Sequence, residues 1–129
     1  MNRAMTERVS DAELEVLEAL WAAAPAAASD IADRLKSRTK WSAQTVKTLL
    51  ARLVEKGVVA HEPDGRRFLY RPLLSREDYA ADATASIINR LFGGRAAPLV
   101  ANLADNGKLT KKDIAELEAI LKELKHDRR

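Results

Sequence analysis

Apolar residues recur at helical spacing from Leu14 through Val16, Leu17 and Leu20 to Trp21, which marks one buried face of an α-helix. Just before them, Ser10-Asp11-Ala12-Glu13 fits a capping box, in which the serine hydroxyl accepts from an orphan backbone N–H and the glutamate reaches back to the serine N–H. The pattern predicts an amphipathic helix beginning at Asp11 and ending before Pro25, with Glu13, Glu15 and Glu18 turned largely outward. A second start signal, Ser29-Asp30, leads Ile31, Ala32 and Leu35 into a short helix to about Ser37. A third helix opens at Ser42 and directs Val46, Leu49, Leu50, Leu53 and Val54 inward. It stops at Lys56-Gly57, where glycine supplies the left-handed cap.

After Gly57 the period changes from 3.6 to 2. Val58–Glu62 and Arg67–Arg71 flank Pro63-Asp64-Gly65-Arg66, which predicts a β-hairpin with arginine near its tip and Pro72 ending its second strand. Ser75 and Asp78 then cap a fourth helix whose buried face includes Tyr79, Ala83, Ile87, Ile88, Leu91 and Phe92, stopped by Gly93-Gly94. A short apolar segment, Pro98–Leu103, precedes Asp105-Asn106-Gly107. Thr110 and Asp113 cap a last helix with Ile114, Leu117, Leu121 and Leu124 in line and Ile120 alongside. The fold class is mainly α with a small β-hairpin wing, divided into residues 1–74 and 75–129.

Charge sharpens this picture. Among 129 residues the net charge is only +3, but it is unevenly spread. Residues 1–33 hold two basic and seven acidic side chains, and residues 34–71 hold ten basic and three acidic ones. A basic block with acid on one side is the pattern of a polyanion-binding face. Other chemistries find little footing. There is no cysteine, and His61 and His126 are isolated, so no metal site, cofactor or catalytic constellation is expected. The apolar run Ala19–Ala28 is ten residues long and broken by Pro25, too short to insert in a membrane; acidic residues before it argue against a signal peptide, and the reading is cytoplasmic.

Three helices followed by a hairpin, with the third helix and the hairpin tip basic, is the order of a winged helix-turn-helix. Removing the apolar stripe of the third helix leaves Ser42, Ala43, Gln44, Thr45, Lys47, Thr48 and Arg52 facing out. These side chains suit the major groove: glutamine pairs with adenine, Lys or Arg with guanine, and Ser or Thr with bases or phosphates. Arg66 and Arg67 at the tip reach an adjacent groove or phosphates, and Lys36, Arg38 and Lys40 are placed for phosphate contacts. Trp41, Phe68 and Tyr70 read as packing residues. The alternative is a winged-helix interaction module without DNA binding, whose basic block meets an acidic partner.

Ser10–Trp21, Trp41–Gly57 and Phe68–Leu73 resemble the penicillinase repressor family (BlaI/MecI/CopY), most specifically in Trp41-Ser42 followed by Thr45-Val46-Lys47-Thr48-Leu49-Leu50 and Arg52-Leu53. The resemblance implies a winged-helix domain that binds a palindromic DNA operator, and a three-helix domain that makes a homodimer, together repressing transcription of antibiotic-resistance or related stress genes. It also implies release through a membrane sensor protease that triggers cleavage at an Asn-Phe bond, for which this chain has Asn102-Leu103. The copper-responsive branch uses a cysteine cluster that this chain lacks. A homodimer also follows from the residues. The apolar faces carrying Tyr79, Ile87, Leu91, Ile114, Leu117, Leu121 and Leu124 are larger than three short helices cover among themselves.

Overall fold

The computed structural model describes residues 9–127. The first helix, α1 (Asp11–Ala22), begins with both halves of the capping box: the Glu13 N–H donates to Ser10 Oγ at 3.1 Å and the Ser10 N–H to Glu13 Oε1 at 3.0 Å. Its far end is closed from a distance, because Arg34 Nη1 donates to the Ala23 carbonyl and to that of Ala19, which also accepts the Ala23 N–H. The next helix, α2 (Ala28–Arg34), starts just ahead of the expected Ser29-Asp30 signal and ends before Ser37. Asp30 does not cap from the N-cap position; it sits in the first turn and accepts the Ala27 N–H at 3.1 Å. The third helix, α3 (Ala43–Glu55), is capped by Ser42 Oγ, which accepts the Thr45 N–H. It closes on Gly57 at φ +81°, with Gly57 N–H bonded to the Val54 carbonyl and Val58 N–H to that of Leu53. That pairing is the Schellman motif, and only a residue without Cβ takes the left-handed position cheaply.

Two strands follow, β1 (Val59–Asp64) and β2 (Arg67–Pro72), antiparallel with Val59 opposite Pro72 and Asp64 opposite Arg67. The turn is tighter than the sequence suggested. Pro63 and Asp64 belong to β1, and the loop is Gly65-Arg66, with Gly65 at φ +66°. Pro63 is tolerated because alternate N–H groups of an outer strand point away from the ladder. Tyr70 and Ala26 exchange both backbone hydrogen bonds, at 3.0 and 2.8 Å, so the segment between α1 and α2 adds a one-residue bridge to the hairpin. Val16, Leu17 and Leu20 of α1, Ile31 of α2, Val46, Leu50 and Leu53 of α3 and Val59 of β1 form the heart of the core, with Tyr70 closing it from β2.

Three more helices complete the chain: α4 (Arg76–Leu91), α5 (Ala96–Asp105) and α6 (Lys111–Asp127). The apolar stretch around Pro98 is therefore a helix. Pro98 stands in its first turn, where the N–H it lacks would have no partner anyway. The chain divides into two compact units between Ser86 and Ile87, inside α4. In the first unit the start of α4 is clasped to α1. Trp21 Nε1 donates to the Leu74 carbonyl at 2.9 Å, the Trp21 and Tyr79 rings stand 5.6 Å apart, and Arg76 forms a two-pronged ion pair with Glu18. Tyr79, expected at a dimer contact, is thus packed on Trp21. In the second unit no described residue is buried. The expected buried face of α4 is open there, Ile87 being exposed and Leu91 accessible over 69% of its surface.

Glu13 departs most from expectation. Instead of facing outward it is 2% exposed, the one charged residue buried in the described core. Its carboxylate meets the ammonium of Lys56, which follows the last residue of α3. Burial alone would raise its pKa. The hydrogen bonds from Lys56 and from the Ser10 backbone, with the charges of Lys56 and Arg52, outweigh burial and hold the carboxyl below its ordinary 4.5. A carboxyl with a depressed folded-state pKa contributes stability that is complete above its unfolded pKa and is lost as pH falls through the folded value. Glu13→Gln should therefore lower stability at pH 7 by about 1.5–3 kcal/mol and flatten its acid dependence. Lys56→Met, which leaves a buried carboxylate unpaired, should cost about 3–5 kcal/mol at pH 7 and less in acid. Urea denaturation at fixed protein concentration, at neutral and acid pH, measures both.

Candidate nucleic-acid interface

Because α3 buries Val46, Leu49, Leu50 and Leu53, a rotation of about 100° per residue sends Gln44, Thr48 and Ala51 to the opposite side. Thr45 and Arg52 fall on one flank of that face and Lys47 on the other, and all six are exposed. The hydroxyls are already oriented. Ser42 and Thr45 oxygens lie 3.3 Å apart at the cap, and the Thr48 hydroxyl donates to the Gln44 carbonyl at 3.2 Å, leaving its lone pairs to accept from outside. Ala51, in the middle of this face, has no polar group that would have flagged it in the sequence. Its small side chain leaves space for a base edge to approach.

The wing stands beside this helix. A groove of about 410 Å³ runs between the start of α2, the first turns of α3 and the hairpin, lined by Ala27, Ala28, Ser29, Ala43, Lys47, Arg66, Arg67, Phe68 and Tyr70. It brings together three of the expected residues, Lys47 from α3 with Arg66 and Arg67 from the wing. Ser42, Gln44, Thr45, Thr48 and Arg52 lie outside the groove on α3 and its cap, and Lys40 is exposed in the loop ahead of them. Trp41 and Tyr70 pack against the core, and Phe68 packs within the hairpin, on the rings of His61 and Tyr70. Its position toward the tip carries it past the edge of the core, and it is exposed.

Much of the basic block is unneutralised. Among the described residues, Lys36, Lys40, Lys47, Arg52, Arg66 and Arg71 form no ion pair. Arg67 pairs with Asp64 across the hairpin at 3.2 Å, and Arg38, expected to be available for phosphate, pairs instead with Glu15 of α1 at 2.9 Å. Negative charge gathers elsewhere, where Asp11, Glu15 and Glu18 of α1 border a separate hollow. Among the described residues no group of three or more His, Cys, Asp or Glu side chains could hold a metal ion, and no helix is long and apolar enough to cross a membrane.

Three helices, a two-stranded wing and a basic polar face on the third helix define a winged helix-turn-helix protein. Residues 9–123 match the sequence profile of the penicillinase repressor family, and the chain belongs to that family. It is 34% identical over 119 residues to the penicillinase repressor of Bacillus licheniformis, covering 92% of this chain and 93% of that one. It is 31% identical over 116 residues to the methicillin resistance regulatory protein MecI of Staphylococcus aureus (strain N315), covering 90% and 94%. Among solved structures, the DNA-binding domain of the repressor BlaI superposes with a TM-score of 0.51 at 35% identity, over 57% of this chain and 90% of that domain. The YusO protein of Bacillus subtilis superposes with a TM-score of 0.52 at 19% identity over 94% of this chain and 77% of its own, a likeness of fold.

Proposed function

We propose that the chain is a dimeric transcriptional repressor, acting in the cytoplasm, that binds a palindromic operator in double-stranded DNA through α3 and the wing. The observation that carries this reading is the outward face of α3, where Gln44, Lys47, Thr48 and Arg52 stand exposed beside a groove holding Arg66 and Arg67. A helix of this diameter fills the major groove, where Gln44 matches adenine and Lys47 or Arg52 matches guanine O6 and N7. Ser42, Thr45, Lys40, Arg66 and Arg67 serve phosphates and fix the register. The names of the relatives support repression, with genes of β-lactam resistance or a related stress response as targets. Sequencing the duplexes that the protein retains from a pool of genomic fragments tests the reading; retention without enrichment of any palindrome would refute it. On the enriched duplex, Arg52→Ala or Lys47→Ala should cost about 1–3 kcal/mol and relax base preference. Lys40→Ala should weaken all sequences alike and lower the salt slope by roughly 1.

Dimerisation is supported by the second unit. Ile87, Leu91, Val100, Ile114, Ile120, Leu121 and Leu124 are exposed there, and Leu117 is half-buried. A second copy would cover these side chains, and each half-site would then hold the other at high effective concentration. Val100 and Ile120 extend the set chosen from the sequence, and Tyr79 drops out of it because it packs on Trp21. Ultracentrifugation at tens of micromolar should find a dimer that Leu121→Glu converts to a monomer with weaker palindrome binding. A wild-type monomer would overturn this part.

Release by a membrane sensor protease completes the proposal. The Asn102–Leu103 bond lies in α5, with the Asn102 carbonyl accepting from the Asn106 side chain at 2.8 Å. A protease needs extended backbone, so α5 must unwind before the bond is cut, and the cut would detach α6. Mass spectrometry of the protein from cells before and after β-lactam challenge should find fragments ending at Asn102. An intact chain during induction would rule this route out.

A further inference from the structure

Phe68 is 45% exposed and is not among the residues of the buried core. Its ring is nevertheless held in place. The His61 ring stands 4.7 Å from it and the buried Tyr70 ring 6.4 Å. It forms a wall of the groove that also holds Lys47, Arg66 and Arg67. An aromatic surface kept in water is unfavourable, and one fixed among three cations complements a ligand that alternates negative charge with apolar surface. The backbone of a DNA strand has that composition, with phosphates separated by deoxyribose rings.

We propose that this groove takes the sugar–phosphate backbone of one DNA strand, with Arg66 and Arg67 on phosphates, the Phe68 ring packed on a deoxyribose and Lys47 left to the base edges beside it. The proposal rests on the operator-binding reading above and adds a contact that is independent both of salt and of sequence. Cations displace condensed counterions, so their contribution falls as salt rises. The apolar contact of Phe68 releases none, and sugars are alike at every base pair. His61 acts as a positioning residue that braces the Phe68 ring at the groove wall.

Binding should be measured across a series of salt concentrations, on the duplex enriched from the genomic pool and on a random duplex of equal length. Thermal melting of each variant checks folding. Phe68→Ala should melt like the wild type and bind both duplexes about tenfold more weakly, as expected for roughly 55 Å² of apolar surface left in water, with the salt slope unchanged. Phe68→Leu should recover part of the loss, and His61→Ala should lose roughly threefold, a fraction of the Phe68→Ala effect. Arg66→Ala, by contrast, should lower the slope by about 1. Unchanged affinity for Phe68→Ala would overturn the proposal, as would a loss confined to the enriched duplex, a change in its salt slope or a matching fall in melting temperature. Each of these leaves operator binding standing, whereas a wild-type protein that retains neither duplex would overturn both readings.

Discussion

Through one carboxylate oxygen, Glu13 receives the Ser10 backbone N–H and the Lys56 ammonium, so the first turn of α1 and the end of α3 are pinned at a single point. The apolar core alone leaves more latitude, since leucines and valines attract without direction. A buried ion tolerates little displacement, because any gap leaves charge unpaired away from water. The axis of α3 is thereby fixed at its C-terminal end and the Schellman turn at Gly57 is positioned with it. That turn launches the hairpin, and the Ala26–Tyr70 bridge ties the hairpin to the start of α2. The outward face of α3 and the groove beside the wing both follow from this chain of constraints.

Local chemistry made much of the first unit legible from its sequence. Ser10, Ser42 and Gly57 carry their own hydrogen-bonding or dihedral reason to begin or end a helix, and the structure uses each of them that way. What escaped the sequence depends on partners far along the chain. Glu13 looked like another outward acid because its bond to Lys56 spans 43 positions. Asp30 looked like a cap when it serves from within the first turn, and Ala26 gave no strand signal because a single bridge has no period. Pro98–Leu103 showed only as a short apolar segment, yet a proline in a first turn does not break a helix. Phe68 and Tyr70 alternate on the same face of the hairpin, and only the edge of the core separates the buried ring from the exposed one.

The second unit is a different physical object. Its leucines and isoleucines follow helical spacing as faithfully as those of α1, yet none of its described residues is buried. Periodicity reports that a face is apolar without reporting what covers it. In the first unit the answer lies within the same chain. In the second, Ile87, Leu91, Val100, Ile114, Ile120, Leu121 and Leu124 stay exposed, so the same pattern that fixed a core in one half leaves apolar side chains open in the other.

The clasp of Trp21, Leu74, Tyr79 and the Arg76–Glu18 pair removes the slack that a loop after the wing would otherwise provide. Before Ser86 the chain is fastened to α1 by these contacts. In the proposed dimer each reading head would therefore include the first turns of α4 as part of itself. Those turns are ordered by contacts within the head, so the head need not surrender their freedom when it engages DNA.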